Sequence, residues 1–458
     1  MSPAPRSPSE PTGERPVLEP HAPVLEERAA QPHTPVVEQR AAQPHAYRDP
    51  WSHRMTELRD VVICAPVRTP VGRMGGALAT VPALELATTV LGTLLERTGV
   101  DPAAIDGVIG AQGYPTMEAP AIGRVAALDA GFPVTTNGYQ LDRRCGSGLQ
   151  AVLNAAMEVQ TGVSEAVVAL GVESMSNAPL YTVEGRRGVS GAGLLLRDAL
   201  SRGRETVGGV RFPTPDGNVG SAELLRAEYG ISREAQDTFA LQSHRRAVAA
   251  QESGAFDAEL VPVSVEGRRG TVVVDRDEHP RGDSSLEALA ALKPILGRSD
   301  PDATVTAGNS SGQNDAAAAC IVTTPDRARE LGLQPMLRLV SWAVAGNDPL
   351  RFGVAPVPTA NLALARAGLG FDDLDVIELN EAFAVQVLAC LADWGVDAED
   401  PRLNPRGSGI SIGHPIGATG IRMLATLAHE LPALDGELAL ETMCIGGGQA
   451  LAAVFARV

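Results

Sequence analysis

The sequence predicts an α/β fold in which strands and helices alternate and stack in layers. Three observations carry that expectation. From Leu58 onward, short apolar runs bounded by glycine alternate with longer segments of helical period. The rhythm loosens from about residue 174 to residue 311 and returns from Ala316 to the C-terminus. Finally, Cys145 and His414 each sit at a glycine-flanked turn opening a helix, and an apolar strand follows each helix (166–171 and 437–442). Two similar halves are therefore expected.

In chain order, residues 1–54 stand apart. They are rich in Pro, Ala, Glu, Arg and His, and a stretch beginning His21-Ala-Pro-Val recurs at His33 and restarts at His45. Prolines interrupt any helix and the few apolar residues cannot build a core, so a disordered tail is expected. The three histidines are read as part of that tail rather than as a metal site. The tail lacks the apolar stretch of a signal peptide and is too acidic for a transit peptide. Met55 is expected to open the folded part.

A buried strand is predicted at 60–64, then a helix over 82–98 closed by Gly99 and a strand at 107–110. A helix beginning near Cys145 continues over 150–161, and the strand 166–171 follows. The looser stretch holds a helix at 233–252 and a β-rich segment at 260–274, which reads as an insertion decorating the core. The expected domains are 1–54 as tail, 55–174 with 312–335 as one half, 175–311 as the insert, and 336–458 as the other half.

The chain has 458 residues, 44% of them hydrophobic, enough for a sizeable core. Its mean hydropathy is +0.01 and no long apolar run occurs, which argues against a membrane span. A net charge of −17 disfavours nucleic acid or an anionic membrane as partner. Lys293 is the only lysine, a bias ascribed to codon usage. Five cysteines (Cys64, Cys145, Cys320, Cys390, Cys444) are odd in number and widely spaced. That pattern predicts reduced thiols in the cytoplasm, without disulfides, zinc or another cofactor.

Five motifs could carry chemistry. Cys145 precedes Gly-Ser-Gly at a helix entry beside Arg143 and Arg144, where amide N–H groups and positive charge favour a thiolate. In Ser411-Ile-Gly-His414, a histidine at a second helix entry could deprotonate that thiol. Met443-Cys444-Ile-Gly-Gly-Gly places another thiol beside potential amide donors. Asn380 interrupts an apolar segment, where it could orient a water or a carbonyl, or cap a helix. The stretch 307–315 is rich in small and amide residues, Ser311 and Asn314 among them.

Taken together and in this order, from about Asp60 to Val458, these motifs resemble the thiolases, which perform reversible Claisen condensation and thiolysis of acyl-CoA. Other phrases similar to that family are Gly171-Val-Glu-Ser-Met-Ser-Asn, Tyr229-Gly-Ile-Ser-Arg and Asp277-Glu-His-Pro-Arg; His244 and His279 in these stretches are read as structural. The resemblance implies a thiolase-like fold of two βαβαβαββ halves in α-β-α-β-α layers with an inserted loop domain. It implies Cys145 as acylated nucleophile, His414 as its activator, Cys444 as the acid/base at the α-carbon, and Asn380 fixing a water. One oxyanion hole would combine His414 with that water, the other the amides of Cys145 and Gly446. Ser311 and Phe383 match positions along the pantetheine tunnel. Partners would be acetyl-CoA, 3-ketoacyl-CoA and CoA, in a homodimer or homotetramer. Polyanionic CoA requires local arginines in so acidic a chain, and Arg186, Arg187, Arg268 and Arg269 are the candidates.

The chain also departs from the family. Asp142 stands where asparagine is usual, beside Arg143 and Arg144. Phe352 replaces a common methionine, Ala355 a glycine, and Ser408 interrupts a glycine pair. Residues 180–218 fit poorly, in a region that covers substrate and helps assemble tetramers in the family. Two rivals stand beside this reading: a decarboxylating ketosynthase, which would lack a second active-site cysteine, and a carrier of CoA or lipid that had lost its chemistry.

Overall fold

In the computed structural model, residues 58–458 are described except 190, 192 and 269. The repeat-bearing tail and Arg269 thus lie outside the described residues. Apolar runs too short for helices form the strands. These are β1 (Val62–Arg68), β2 (Gly107–Ala111), β3 (Asn137–Leu141), β4 (Ala166–Ser174), β5 (Asn314–Thr323), β6 (Pro335–Gly346), β7 (Val376–Leu379), β8 (Leu438–Ile445) and β9 (Gln449–Arg457). The principal helices are α1 (Ala83–Thr98), α2 (Ile122–Asp129), α3 (Ser147–Thr161), α4 (Ala199–Glu205), α5 (Gly217–Tyr229), α6 (Arg233–Glu252), α7 (Pro356–Ala367), α8 (Ala384–Trp394) and α9 (Thr419–Ala433). The helix expected at 233–252 forms with those bounds. The strand expected at 60–64 instead starts at Val62 and reaches Arg68, because an irregularity between Cys64 and Val67 lets the chain bend and keep pairing.

These strands join the two-residue strand Gly72–Arg73 in one ten-stranded sheet, in the order β7-β8-β9-β6-β1-β5-β4-β2-β3. The antiparallel pair β1–β6, with Val62 opposite Arg338, is the seam. On one side β5 runs antiparallel to β1 and β4, and β4 parallel to β2. On the other, β9 runs antiparallel to β6 and β8, and β8 parallel to β7. The order β1-β5-β4-β2 of one half matches β6-β9-β8-β7 of the other, so the halves are similar as expected, but the edge strand β3 has no counterpart and the second half holds four strands among the described residues where five were expected.

Alternation along the strands explains the layers. In β4, Val167 and Ala169 pack with Leu149 and Val152 of α3 and Ile421 of α9. Val168 and Leu170 face the other way, toward Leu86 and Val90 of α1 and Ala126 of α2. Met443 and Phe455 of the second half join the α3/α9 cluster, whereas Leu440 and Val454 pack with Ala360 of α7 and Val387 of α8. Both sheet faces are covered, so the strands are apolar on both sides. The result is five layers, with α3 and α9 in the middle.

Those two helices meet backbone to backbone. A Cβ on Gly148 would stand 2.9 Å from the Gly417 oxygen and 3.0 Å from the Gly420 nitrogen. This contact brings both helix entries, and so Cys145 and His414, to one place. The chain between β4 and β5 carries α4 to α6 and the hairpin of Val263–Gly267 with Gly270–Val274. Fully buried Arg68 of β1 anchors it through Glu259 (2.6 Å) and Asp277 (2.7 Å).

Candidate active site

A cavity of about 360 Å³ opens where the entries to α3 and α9 meet the turn after β8. Cys145, His414, Gly446, Ser311 and Phe383 all line it.

Cys145 lies in the tight turn Arg144–Gly146 that feeds α3. Arg144 adopts the left-handed region (φ 46°). The Asp142 carboxylate accepts its backbone N–H at 2.6 Å, and the Gly113 carbonyl accepts from its Nη1 at 2.5 Å. Burial pushes the Cys145 thiol above its ordinary pKa, while the Gly446 N–H, the Arg144 charge and its own N–H pull the other way. The donors are present, but desolvation outweighs them, so the group rests as a thiol and needs a base.

His414 supplies one. Its Nδ1 lies 2.7 Å from Thr419 Oγ1, and that hydroxyl donates to the Pro415 carbonyl at 2.9 Å. A threonine has one hydroxyl proton, so Nδ1 must be the donor in the first bond. Nε2 then carries the lone pair, and it has no protein partner among the described residues. Burial, helped by the Arg422 charge, lowers the ring's pKa to about 3, so it is neutral. The His414 N–H donates to Asn314 Oδ1 at 2.9 Å, and Asn314 Nδ2 donates to the Gly72 carbonyl. Gly413 has φ +111°, and a Cβ there would strike the Asn314 side chain.

Cys444 lies fully buried near the end of β8, paired with Ala450 of β9. Burial raises its pKa well above the usual value, and Cys145 is the first charge to add to that effect. Cys444 itself is not among the residues that line the cavity, whereas Gly446, two residues on, is. Asn380 follows β7, its N–H donating to the Thr442 carbonyl at 3.0 Å. It caps no helix, since Phe383 occupies the N-cap of α8. Both side-chain polar atoms of Asn380 are buried without a protein partner among the described residues. A buried amide of that kind is unusual in a purely structural role.

Ser311 and Phe383 share one wall. The Ser311 N–H donates to the Ala382 carbonyl at 2.9 Å, and Phe383 meets Phe352 edge to face at 6.4 Å. Arg268 stands exposed in the hairpin turn, and it does not line the cavity. Neither do Arg186 and Arg187, in an exposed turn. The cavity's arginines are instead Arg144 and Arg204. Arg204 lies in the stretch that fits the family poorly, and no signal in the sequence marks it.

Two supporting residues lie in motifs to which the sequence assigns no role. One is Asn314. The other is Glu173, whose buried carboxylate accepts from the N–H groups of Gly113 (2.9 Å), Tyr114 (3.0 Å) and Gly417 (3.0 Å). It ties a loop of the first half to the His414 turn, and burial lifts its pKa to about 7. His244 accepts from the Arg281 N–H at 3.3 Å and meets His279 edge to face. No cluster of metal-binding side chains occurs among the described residues, and no described helix is long and apolar enough to cross a membrane.

Residues 61–326 match the family profile "Thiolase, N-terminal domain", and 333–457 match "Thiolase, C-terminal domain". The chain is 43% identical over 410 residues to a β-ketoadipyl-CoA thiolase of Pseudomonas aeruginosa, covering 87% of this chain and 100% of that protein. It is 42% identical over 403 residues to an acetyl-CoA acetyltransferase of Escherichia coli, covering 88% and 100%. Among solved structures, the Bacillus anthracis acetyl-CoA acetyltransferase superposes with a TM-score of 0.83 at 41% identity, covering 88% and 100%. Human mitochondrial 3-ketoacyl-CoA thiolase in complex with CoA gives 0.81 at 35%, covering 88% and 99%.

Proposed function

The chain belongs to the thiolase family, and from that membership we propose how its own residues divide the reaction. The protein is an acyl-CoA C-acyltransferase that forms and breaks the C2–C3 bond of 3-ketoacyl-CoA by Claisen condensation and thiolysis. In thiolysis, His414 Nε2 takes the Cys145 proton and the thiolate attacks the 3-keto carbon. The amides of Cys145 and Gly446 receive the developing oxyanion. As C2–C3 breaks, the leaving enolate of acetyl-CoA rests on His414, now a donor, and on a water held by Asn380. Cys444 protonates its α-carbon. The Cys444 thiolate then takes the proton of incoming CoA, whose sulfur displaces the acyl group, and His414 returns the proton to Cys145.

One observation carries this reading. The chain from His414 through Thr419 to Pro415 leaves Nε2 as a neutral acceptor in the cavity that holds Cys145. Condensation reverses the order, and covalent capture of the first acyl group makes the carbon–carbon step intramolecular. Ser311 and Phe383 would flank the pantetheine arm. No observation favours the ketosynthase or the carrier.

The five unpaired cysteines support a reducing compartment, the cytoplasm, and the likeness to acetyl-CoA acetyltransferases supports a place in fatty acid metabolism. Half-exposed β3 ends the sheet with one ladder side free, which supports a homo-oligomer built by a second copy. The direct test is CoA-dependent cleavage of 3-ketoacyl-CoA substrates from four carbons upward. Release of acetyl-CoA from at least one is expected, and CoA binding without any cleavage would leave the carrier as the answer.

A further inference from the structure

We propose that Glu378 and Glu441 share a single proton and that this buried pair balances the Arg422 charge behind His414, so that all three are positioning residues for the reaction. The part in the reaction rests on the thiolase reading; the shared proton does not. Glu378 of β7 and Glu441 of β8 stand opposite each other in the parallel ladder, where neighbouring strands lie about 4.8 Å apart. Alternation turns both toward the middle layer, because Val376, Ala439 and Met443, each two positions away, pack in the α3/α9 cluster. Arg422 of α9 meets them there. Its Nη2 donates to Ser408 Oγ at 3.1 Å and lies 3.8 Å from Glu378 Oε1. Ser408 Oγ in turn donates to Glu378 Oε1 at 2.9 Å. All four side chains are fully or almost fully buried. Ser408 is the residue that interrupts the usual glycine pair, and a glycine would lack the bridging hydroxyl.

Two carboxylates beside one guanidinium are not both ionised in such a layer, since adjacent buried carboxyls lose their protons in separate steps. Glu378 has a hydroxyl donor and a cation for its charge. Both oxygens of Glu441 lack a protein partner among the described residues. The charge therefore rests on Glu378 and the proton on Glu441. Burial raises the pKa of both; the Glu378 charge adds to it at Glu441, whereas Arg422 and Ser408 oppose it at Glu378. Arg422 keeps Nε and Nη1 without a protein partner among the described residues, so it has donors for a second carboxylate. If Glu378 is neutralised, Glu441 can release its proton to solvent and take its place. The other charges that reach the cluster have partners of their own. Glu381 accepts from Ser243 and Asn404, Glu430 pairs with Arg406, and Arg68 pairs with Glu259 and Asp277. From β5 the Cys320 thiol faces Glu441, and burial holds it protonated.

The consequence lies at the base. The Arg422 charge adds to burial in keeping the His414 ring neutral. Balanced by one carboxylate, the guanidinium leaves Nε2 able to take the Cys145 proton. Unbalanced, it would oppose the imidazolium that this transfer creates.

The test uses Glu378→Gln, Glu441→Gln and the double variant. Infrared difference spectra against wild type should show loss of one protonated carboxylic acid band in each single variant. The double variant should lose no more than either single one. No loss in Glu378→Gln, or a double loss in the double variant, overturns the shared proton, and the first of these needs only one variant to fold. Alkylation of Cys145 by iodoacetamide, followed against pH, reads the base. At neutral pH the double variant should react about tenfold more slowly than the product of the two single effects. Its profile should also move to higher pH, because a weaker base leaves the thiol protonated. Single effects that simply multiply, with an unmoved profile, overturn the part in the reaction. If acetyl-CoA fails to acylate Cys145 in the wild type, the thiolase reading itself fails while the infrared result stands.

Discussion

Cys145 and Cys444 are both buried thiols with raised pKa values, yet their surroundings differ in kind. Cys145 has amide donors, Arg144 and a neutral imidazole in its cavity; Cys444 has apolar neighbours such as Leu225, Val385 and Ala389. In the proposed reaction the first is ionised on demand, and the second holds its proton until a carbanion forms beside it. Cys145→Ser should abolish the acyl-enzyme, read as loss of the acetyl mass increment after incubation with acetyl-CoA. Cys444→Ser should still acylate but lose deuterium exchange at the acetyl-CoA methyl group by at least about a hundredfold. Equal loss of both activities would contradict the division of labour. The sequence marks these cysteines through their glycine neighbours. It could not show that desolvation raises the Cys145 pKa, because burial depends on what the rest of the chain stacks above it.

At the scale of elements, the site depends on how closely α3 and α9 start together. Gly148, Gly417 and Gly420 remove side chains from that crossing, so the two nucleating turns share one space. Gly148→Val would force the helices apart and should cost at least about 1–3 kcal/mol of stability. The denaturation midpoint reads that loss, and acylation of Cys145 should fall with it, since the nucleophile and His414 sit on the two helix entries. A Gly148→Val protein of unchanged midpoint would show that the crossing can relax. The helices themselves are evident from their period. Their crossing is not, because no local pattern tells which glycine a helix will meet.

For the whole molecule, the insert and the layered core are joined through charge. Arg68, Glu259 and Asp277 are fully or almost fully buried, and the Phe256 ring lies under the guanidinium at 5.1 Å. Arg68→Met would leave two carboxylates without their cation and should cost about 3–5 kcal/mol. Chemical denaturation should show an early midpoint, partly restored by adding Glu259→Gln and Asp277→Asn. The duplicated topology and the placing of Cys145 and His414 at two helix entries were set by sequence, because periodicity and residue type are local properties of the chain. The tertiary structure alone decided the protonation state of the thiol, the tautomer of His414, the supporting roles of Glu173 and Asn314, and which arginines face the cavity. Each of these depends on a hydrogen-bond partner, a charge or a desolvating layer supplied by residues distant in the chain.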